Sequence, residues 1–106
     1  MCGITGFYNF QDPTLNKGDL LKMTKTLDHR GPDDYGIYFT EKVGLGHTRL
    51  SIIDLSSSGS QPMISKDGMV VLSYNGELYN YRFLRSKLID KGRKFKSRSD
   101  TEVILQ

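Results

Sequence analysis

The sequence predicts one small α+β domain in which a mixed β-sheet is combined with short helices. The chain has 106 residues, which is room for a single domain with a modest core. Segments rich in β-forming residues alternate with segments whose apolar residues recur at helical spacing. Eleven glycines and only three prolines indicate many tight turns between these elements.

The first two predicted elements are a strand and a helix. Residues 2–10 are rich in β-forming types and predict a strand that ties down the N-terminus. Apolar residues recur at helical spacing from Leu20 to Leu27, and either Asn16 or Gly18–Asp19 is expected to start that helix. The Gly31–Pro32 pair is expected to end it, because neither residue continues a helix readily.

Turn residues divide the middle of the chain into strands. The strand-like segments are residues 35–40, 43–53 and 69–74. Glu41–Lys42 is expected to join the first two, and residues 56–62 predict a loop. Lys66–Gly68 predicts a hairpin turn that leads into the third segment, which Asn75–Gly76 ends.

A helix and a short strand are predicted next. Asn80 is expected to cap a helix whose apolar stripe runs from Tyr81 to Ile89, and Gly92 is expected to stop it. Residues 94–97 predict a short strand. The last predicted element is another helix, since Ser99 and Glu102 have the spacing of a capping box, and it is expected from Thr101 onward.

The chain reaches Gln106 about one turn into this last helix and without a stop signal, so we expect it to be truncated. Hydrophobic residues at 37% and charged residues at 25% exclude a disordered or membrane-embedded chain. No apolar run approaches the ~18 residues that span a membrane, and no basic segment precedes the apolar start as in a signal peptide. These features favour a soluble protein, which we expect to be cytoplasmic.

Metal and disulfide chemistry are not predicted. The single cysteine excludes an internal disulfide and a Cys-rich zinc site. His29, Asp33 and Asp34 have neither the spacing of a helical His pair nor that of a calcium loop, so no metal site is expected.

Cys2 is the residue that most suggests chemistry. If Met1 is removed, Cys2 carries a thiol and a free α-amine on one Cα. An α-amine has an ordinary pKa of about 7.7–8.0, so near neutral pH it can act as general base for the adjacent thiol. A separate catalytic histidine is then unnecessary. Position alone leaves open that the second residue is a cysteine without a chemical role.

Five motifs, in order, resemble the glutaminase domain of class II glutamine amidotransferases, which are N-terminal-nucleophile hydrolases. They are Met1-Cys2-Gly3-Ile4-Thr5-Gly6-Phe7, His29-Arg30-Gly31-Pro32-Asp33-Asp34, His47 to Leu55 with Gln61-Pro62-Met63, Tyr74 to Asn80, and Ser99-Asp100-Thr101-Glu102. The last three are similar to the asparagine synthetase branch in particular. The resemblance runs from Cys2 to Glu102, with no departure at the functional positions.

The resemblance implies a fold and a domain organisation. The fold would be a layered αββα sandwich, of which residues 1–106 form only the N-terminal portion of the glutaminase domain. An ATP-dependent synthetase domain that amidates aspartate would be absent from this chain and lie beyond Gln106 or on another chain, since no phosphate-binding Gly-rich loop is present. No cofactor is expected for the glutaminase half, whereas ATP and Mg²⁺ are expected for the synthetase domain. A homodimer is also considered.

The resemblance also implies roles for individual residues. Cys2 would attack the carboxamide of glutamine and form a thioester. The side-chain amide of Asn75 and the backbone N–H of Gly76 would stabilise the oxyanion, and glycine there would permit an unusual backbone angle. Asn75–Gly76 is equally compatible with a simple turn.

Free glutamine also has a carboxylate and an ammonium group to bind. Arg49 would bind the carboxylate and Asp100 the ammonium. The backbone groups expected to line the glutamine site are those at Leu50, Ile52, Ile53 and Glu77. If the strand alternates regularly, Leu45, His47 and Arg49 share one face, and Gly46, Thr48 and Leu50 share the other.

The sequence leaves alternatives open for the ammonia acceptor, the catalytic base and the class of function. The ammonia acceptor could be a carboxylate other than aspartate, and a chain that retains Met1 would be inert because Cys2 then has no free amine. A Cys–His dyad with His29 or His47 is conceivable, although hydrogen-bonding roles for both are preferred. A nucleic-acid-binding module is a separate class of function. It would use the basic residues Arg82, Arg85, Lys87, Lys91, Arg93, Lys94, Lys96 and Arg98.

Overall fold

The computed structural model describes residues 2–11, 14–50 and 57–106, and the fold is α+β with two antiparallel sheets. The three-stranded sheet has the order β1-β3-β2 and consists of β1 (Gly3–Tyr8), β2 (Asp34–Phe39) and β3 (Val43–Arg49). The two-stranded sheet consists of β4 (Met63–Ile64) and β5 (Val71–Leu72). The α-helices are α1 (Lys17–Lys25), α2 (Tyr81–Asp90) and α3 (Asp100–Leu105), and a 3₁₀ turn covers Ser57–Gly59.

Helix α1 starts at Asn16, which is one of the two predicted starts. Asn16 Oδ1 accepts from the backbone N–H of Asp19 at 3.0 Å, and Asp19 Oδ2 accepts from the N–H of Asn16 at 2.9 Å. The helix ends at Lys25 rather than at Gly31–Pro32. The chain continues in tight turns, in which the carbonyl of Leu27 accepts from the backbone N–H of Arg30 at 2.9 Å and from the Thr48 hydroxyl at 3.1 Å.

The main sheet packs one face against α1. Leu20 and Thr24 on the helix are completely buried, and the Thr24 hydroxyl lies 3.0 Å from that of Thr5 on β1. A Cβ at Gly46 of β3 would collide with the hydroxyls of both threonines, so glycine allows the helix to approach the sheet. The Thr48 hydroxyl lies on the same face of the sheet, where it donates to the Leu27 carbonyl.

Alternate residues of β3 therefore lie on opposite faces, as predicted. His47 and Arg49 contact the segments that follow β3, on the face away from α1. The prediction that this strand continues to residue 53 falls partly on residues 51–53, which lie outside the described residues.

The hairpin turn at Lys66–Gly68 is confirmed, with Gly68 at φ +74°. The strand after it is shorter than predicted, since β5 covers only Val71–Leu72. Asp67 Oδ1 accepts from the backbone N–H of Met69 at 2.9 Å, so that N–H belongs to the turn and not to a ladder. Strand β4, which pairs with β5, was not predicted, and residues 57–62 form no strand, as expected for a loop.

Helix α2 has nearly the predicted extent, but its N-terminus differs. Asn80 occupies the predicted N-cap position, but its side chain makes no cap hydrogen bond, so only that part of the prediction is wrong. The Asn80 carbonyl accepts from the backbone N–H of Leu84 at 3.2 Å. Gly92 follows the helix with φ +90°, a left-handed conformation that favours glycine at this position. No side chain of α2 is fully buried, because the helix covers the domain surface without entering its core.

The predicted strand at residues 94–97 is wrong, and Glu102 is the cause. Its carboxylate accepts from the backbone N–H of Lys96 at 2.9 Å, from that of Ser97 at 2.7 Å and from the Ser97 hydroxyl at 2.6 Å. Both backbone donors are therefore turned towards α3. The same contacts replace the predicted capping box, since Ser99 caps α3 by accepting from Thr101 N–H at 3.0 Å and donates its own N–H to Ser97 Oγ at 3.2 Å.

No helix in the ranges 2–11, 14–50 and 57–106 is both long and apolar enough to cross a membrane.

Candidate active site

Cys2 lies at the start of β1, half-buried, against the end of β3. The backbone N–H of Leu50 donates to Cys2 Sγ at 3.3 Å, and Sγ lies 3.7 Å from the Leu50 carbonyl. The pairing that places it there begins one residue later, where Gly3 pairs with Thr48 and donates its N–H to the Thr48 hydroxyl at 3.1 Å. Two of the predicted site residues, Cys2 and Leu50, are therefore in direct contact.

The His29–Asp34 motif packs against this junction. Arg30 Nε donates to the Cys2 carbonyl at 3.4 Å, and the backbone N–H of Asp33 donates to the Arg49 carbonyl at 3.0 Å. Gly31 is buried between them, and a Cβ there would collide with backbone atoms of Thr48 and Arg49. Glycine is required because two backbone segments meet at this point. The motif thus fixes the end of the strand that carries Arg49.

Arg49 is the last residue of β3, and only 8% of it is exposed. Its Nη1 lies 3.5 Å from the Ser60 hydroxyl, which donates to Asp34 Oδ2 at 2.9 Å. The guanidinium is therefore directed towards the face opposite α1, on the same side of the sheet as His47. Ile4, which pairs with His47 on β1, shares that side because cross-strand partners lie on one face.

His47 is buried, with 1% exposed, and its Nε2 lies 3.1 Å from the Tyr74 carbonyl. A carbonyl can only accept, so Nε2 carries the proton. Burial lowers the pKa of His47, and the nearby Arg49 charge acts in the same direction, which keeps the ring neutral at pH 7. Its Nδ1 is buried without a hydrogen-bond partner in the described structure. The hydrogen-bonding role expected for His47 is confirmed, whereas His29 is exposed.

Asn75 and Gly76 follow β5 in an irregular segment. Among the described residues, no group hydrogen bonds to the Asn75 side-chain amide or to the Gly76 N–H. Gly76 has no positive φ, and the explanation of this glycine by an unusual backbone angle is therefore wrong. A Cβ at position 76 would lie 2.8 Å from Tyr74 Oη, at the far end of the Tyr74 side chain, so a residue larger than glycine would require that side chain to move.

Side chains hold this segment on two sides. Gln61 Oε1 accepts from the Tyr74 N–H at 2.6 Å, and Gln61 Nε2 donates to the Thr101 hydroxyl at 3.1 Å. Asp100 is buried, with 6% exposed, and its Oδ2 accepts from the Leu78 N–H at 2.9 Å. Residues 75–77 are therefore fixed to the beginning of α3. The sequence reasoning missed Gln61 as an individual residue, and its only signal was membership of the Gln61-Pro62-Met63 motif.

The predicted site residues thus form two groups, joined by the His47–Tyr74 hydrogen bond. Cys2, Arg49 and Leu50 lie at the ends of β1 and β3, and the second group consists of Asn75, Gly76, Glu77 and Asp100. Glu77 is exposed, and Ile52 and Ile53 lie outside the described residues. Within the described ranges, no group of three His, Cys, Asp or Glu side chains is arranged to hold a metal ion.

A candidate thiol nucleophile, together with two donors that no described residue engages, provides groups that acyl transfer requires. Over residues 1–106 the chain matches the glutamine amidotransferase domain family, and it belongs to that family. This confirms the class of enzyme domain that the motifs indicated.

Individual relatives narrow the comparison to the asparagine synthetase branch. The chain is 44% identical over 108 residues to the glutamine-hydrolysing asparagine synthetase 1 of Bacillus subtilis, covering 99% of this chain and 17% of that protein. It is 39% identical over 124 residues to the putative glutamine-hydrolysing asparagine synthetase 2 of Methanocaldococcus jannaschii, covering 100% of this chain and 23% of that protein. Amidase chry2 of Gibberella zeae is 42% identical over 118 residues, with 99% and 17% covered. The chain therefore spans between about a sixth and a quarter of the length of these relatives.

Proposed function

We propose that residues 1–106 are the N-terminal portion of a glutaminase domain that releases ammonia from glutamine through a thioester on Cys2. The ammonia would serve the ATP-dependent amidation of aspartate by a synthetase domain beyond Gln106. The observation that carries the proposal is the contact of Cys2 Sγ with the main chain of Leu50, one residue after Arg49. Family membership and the asparagine synthetase relatives support the same conclusion.

The proposed chemistry needs only groups of this chain and water. After removal of Met1, the α-amine of Cys2 accepts the thiol proton, and the sulfur attacks the side-chain carbonyl carbon of glutamine. The C–N bond then breaks, and the nitrogen leaves as ammonia after receiving that proton. Water attacks the resulting thioester and gives one of its protons to sulfur, which yields glutamate and restores the thiol. A chain that keeps Met1 has an amide in place of the amine and would be inert.

Charge that develops on the carbonyl oxygen during attack requires donors fixed in advance. We assign this role to the side-chain amide of Asn75 and the N–H of Gly76. Their lack of other partners among the described residues supports the assignment, since a donor already engaged would have to break a bond first.

The two ends of glutamine would be held by opposite charges. Arg49 would pair with the α-carboxylate in a bidentate manner, and Asp100 would accept from the α-ammonium. Asp100 Oδ2 accepts from the backbone N–H of Leu78, and no described residue is seen to donate to Asp100 Oδ1. We assign Oδ1 to the ligand. Main-chain groups at Leu50, Ile52, Ile53 and Glu77 would complete the glutamine site.

The remaining parts of the proposal concern the whole protein. We infer that the domain is an αββα sandwich of the N-terminal-nucleophile type, which strands beyond Gln106 would complete, and that the protein is cytoplasmic. A homodimer is the assembly that we consider. The glutaminase half would need no cofactor, whereas ATP and Mg²⁺ would be bound by the synthetase domain.

A second candidate function has a specific observation in its favour. Amidase chry2 is as similar to this chain as the synthetases are, although its name does not include asparagine. The acceptor of ammonia would then be another carboxylate, with the same glutaminase chemistry. Nucleic-acid binding by the basic residues is less favoured, because Arg85 and Lys87 stack on Phe95 and Phe83, with the cations 4.9 and 4.7 Å from the ring centroids.

The test is ammonia release from glutamine by the full-length gene product, with the intact mass recorded to establish whether Met1 is removed. We expect hydrolysis that Cys2→Ala abolishes, with Asn75→Ala reduced about 10²–10³-fold in kcat. Asparagine formation from aspartate and ATP then separates the two acceptor hypotheses. Unchanged hydrolysis by Cys2→Ala would end the nucleophile assignment, and normal hydrolysis by protein that retains Met1 would end the role of the amine.

A further inference from the structure

The segment that carries Asn75 and Gly76 is not held by a β-ladder. Strand β5 ends at Leu72, and both backbone groups of Tyr74 are instead bound by side chains. Gln61 accepts from its N–H at 2.6 Å, and His47 donates to its carbonyl at 3.1 Å. Two side chains therefore bind the backbone groups that a paired strand would bind in a sheet.

The Tyr74 carbonyl belongs to the peptide unit whose nitrogen is that of Asn75. Because a peptide is planar, fixing the carbonyl oxygen also fixes the direction of the Asn75 N–H and the position of the Asn75 Cα. His47 is well suited to this task, since it is 1% exposed and projects from the central strand of the main sheet. The same strand ends one residue before Leu50, which contacts Cys2 Sγ.

We propose that His47 is a positioning residue, whose Nε2–H to Tyr74 hydrogen bond sets the placement of the Asn75 and Gly76 donors relative to Cys2. This inference rests on the proposed function of those donors. His47 does not touch substrate, and it acts only through the peptide that it holds. Its effect is therefore expected on kcat, because displacement of catalytic donors by about 1 Å costs on the order of 10²-fold in rate.

Burial of a neutral imidazole with an unpartnered Nδ1 supports this role over a purely packing one. An apolar residue of similar size would leave no buried polar atom unsatisfied and would therefore be the better choice for packing alone. The donor at Nε2 is the feature that an apolar side chain cannot supply.

The experiment compares three variants in the full-length protein. His47→Gln places a side-chain amide near the position of His47 Nε2, and His47→Asn places one near the position of Nδ1 only. His47→Leu has no hydrogen-bonding group in its side chain. We expect kcat for glutamine hydrolysis to fall about 10- to 100-fold in His47→Asn and His47→Leu and to recover to within about fivefold in His47→Gln. The KM for glutamine is expected to stay within about threefold in all three, because the Arg49 and Asp100 contacts are untouched.

A role in packing alone predicts a different pattern, in which Asn and Gln are equally impaired or kcat does not change. Either result overturns the inference while leaving the Cys2 chemistry intact. If His47→Leu does not fold, the Asn and Gln pair decides, since both are polar and differ only in where the amide lies.

A measurement without activity tests the contact itself. In ¹⁵N spectra of the unsubstituted protein, His47 is expected as the Nε2–H tautomer, and the Asn75 amide signal is expected to move in His47→Asn but much less in His47→Gln. An Nδ1–H tautomer overturns the inference, and so does an Asn75 signal that responds equally to both substitutions. If the unsubstituted protein does not hydrolyse glutamine, the proposed function fails and this spectrum still judges the positioning of the segment.

Discussion

Replacement of Glu102 by Gln tests how strongly one carboxylate shapes the C-terminal part of the domain. Glu102 is 5% exposed and accepts from two backbone N–H groups and one hydroxyl, at 2.9, 2.7 and 2.6 Å. The Gln amide has the same shape, but its NH₂ group would face a backbone donor, and its remaining oxygen is uncharged. A hydrogen bond to a charged group contributes about 1.5–3 kcal/mol and a neutral one about 0.5–1.5 kcal/mol. Loss of one charged bond and weakening of the others therefore costs about 2–4 kcal/mol.

Amide hydrogen exchange at Lys96 and Ser97 measures this cost locally. Since every 1.4 kcal/mol is tenfold, we expect protection of the two amides to fall about 30- to 800-fold in Glu102→Gln. Glu41→Gln is the matched control, because Glu41 is exposed and its side chain makes no hydrogen bond with any described residue. A fall of less than about threefold in Glu102→Gln would refute the reasoning, since it would mean that the carboxylate does not hold the 96–97 backbone.

Three further predictions concern the site and the sheet. Arg49→Ala is expected to raise the KM for glutamine at least about tenfold with a smaller change in kcat, and a KM that stays put would make Arg49 structural. Gly31→Ala is expected to lower the free energy of unfolding by about 1–3 kcal/mol, measured by urea denaturation against Gly18→Ala in helix α1. The control is expected to change it less, because a Cβ at position 18 would approach only the side-chain atom Asn16 Oδ1, at 3.2 Å, whereas one at position 31 would collide with backbone. For His47 the unfolded chain binds a proton more readily than the folded one, because burial lowers the pKa. Its contribution to stability is therefore complete above the ordinary value of 6.5 and is lost as the pH falls towards the folded pKa. The difference in urea midpoint between His47 and His47→Gln proteins should shrink on acidification, and a constant difference would contradict the sign.

Local sequence patterns predicted most helices and turns correctly, and they failed where a side chain distant from the segment binds its backbone. Apolar periodicity and the Asn16 cap located α1, and the positive-φ positions Gly68 and Gly92 were each recognisable as a turn or a helix end. The strand expected at residues 94–97 failed because the donors of Lys96 and Ser97 are taken by a carboxylate from the following helix. Propensity alone carries no information about such a contact.

The same distinction between local patterns and distant contacts applies to the residues of the candidate site. Cys2 and Arg49, to which we assign attack on the substrate and binding of its carboxylate, lie in sequence motifs and were predicted from those motifs. Gln61 and His47 act by holding the Tyr74 backbone, and the pairing of a side chain with a particular backbone group depends on the folded arrangement. The contact that a Cβ at position 76 would make with Tyr74 Oη is likewise not visible in the sequence, because it depends on where the Tyr74 ring lies.

The Thr48 hydroxyl has a consequence for maturation of the N-terminus. It accepts from Gly3 N–H and donates to the Leu27 carbonyl, each at 3.1 Å, so the first backbone N–H that a described residue holds is that of the third residue. The main-chain nitrogen of Cys2 takes part in no hydrogen bond with the described residues. An aminopeptidase that excises the initiator would therefore change the chemical nature of that nitrogen without breaking any hydrogen bond between it and the described residues.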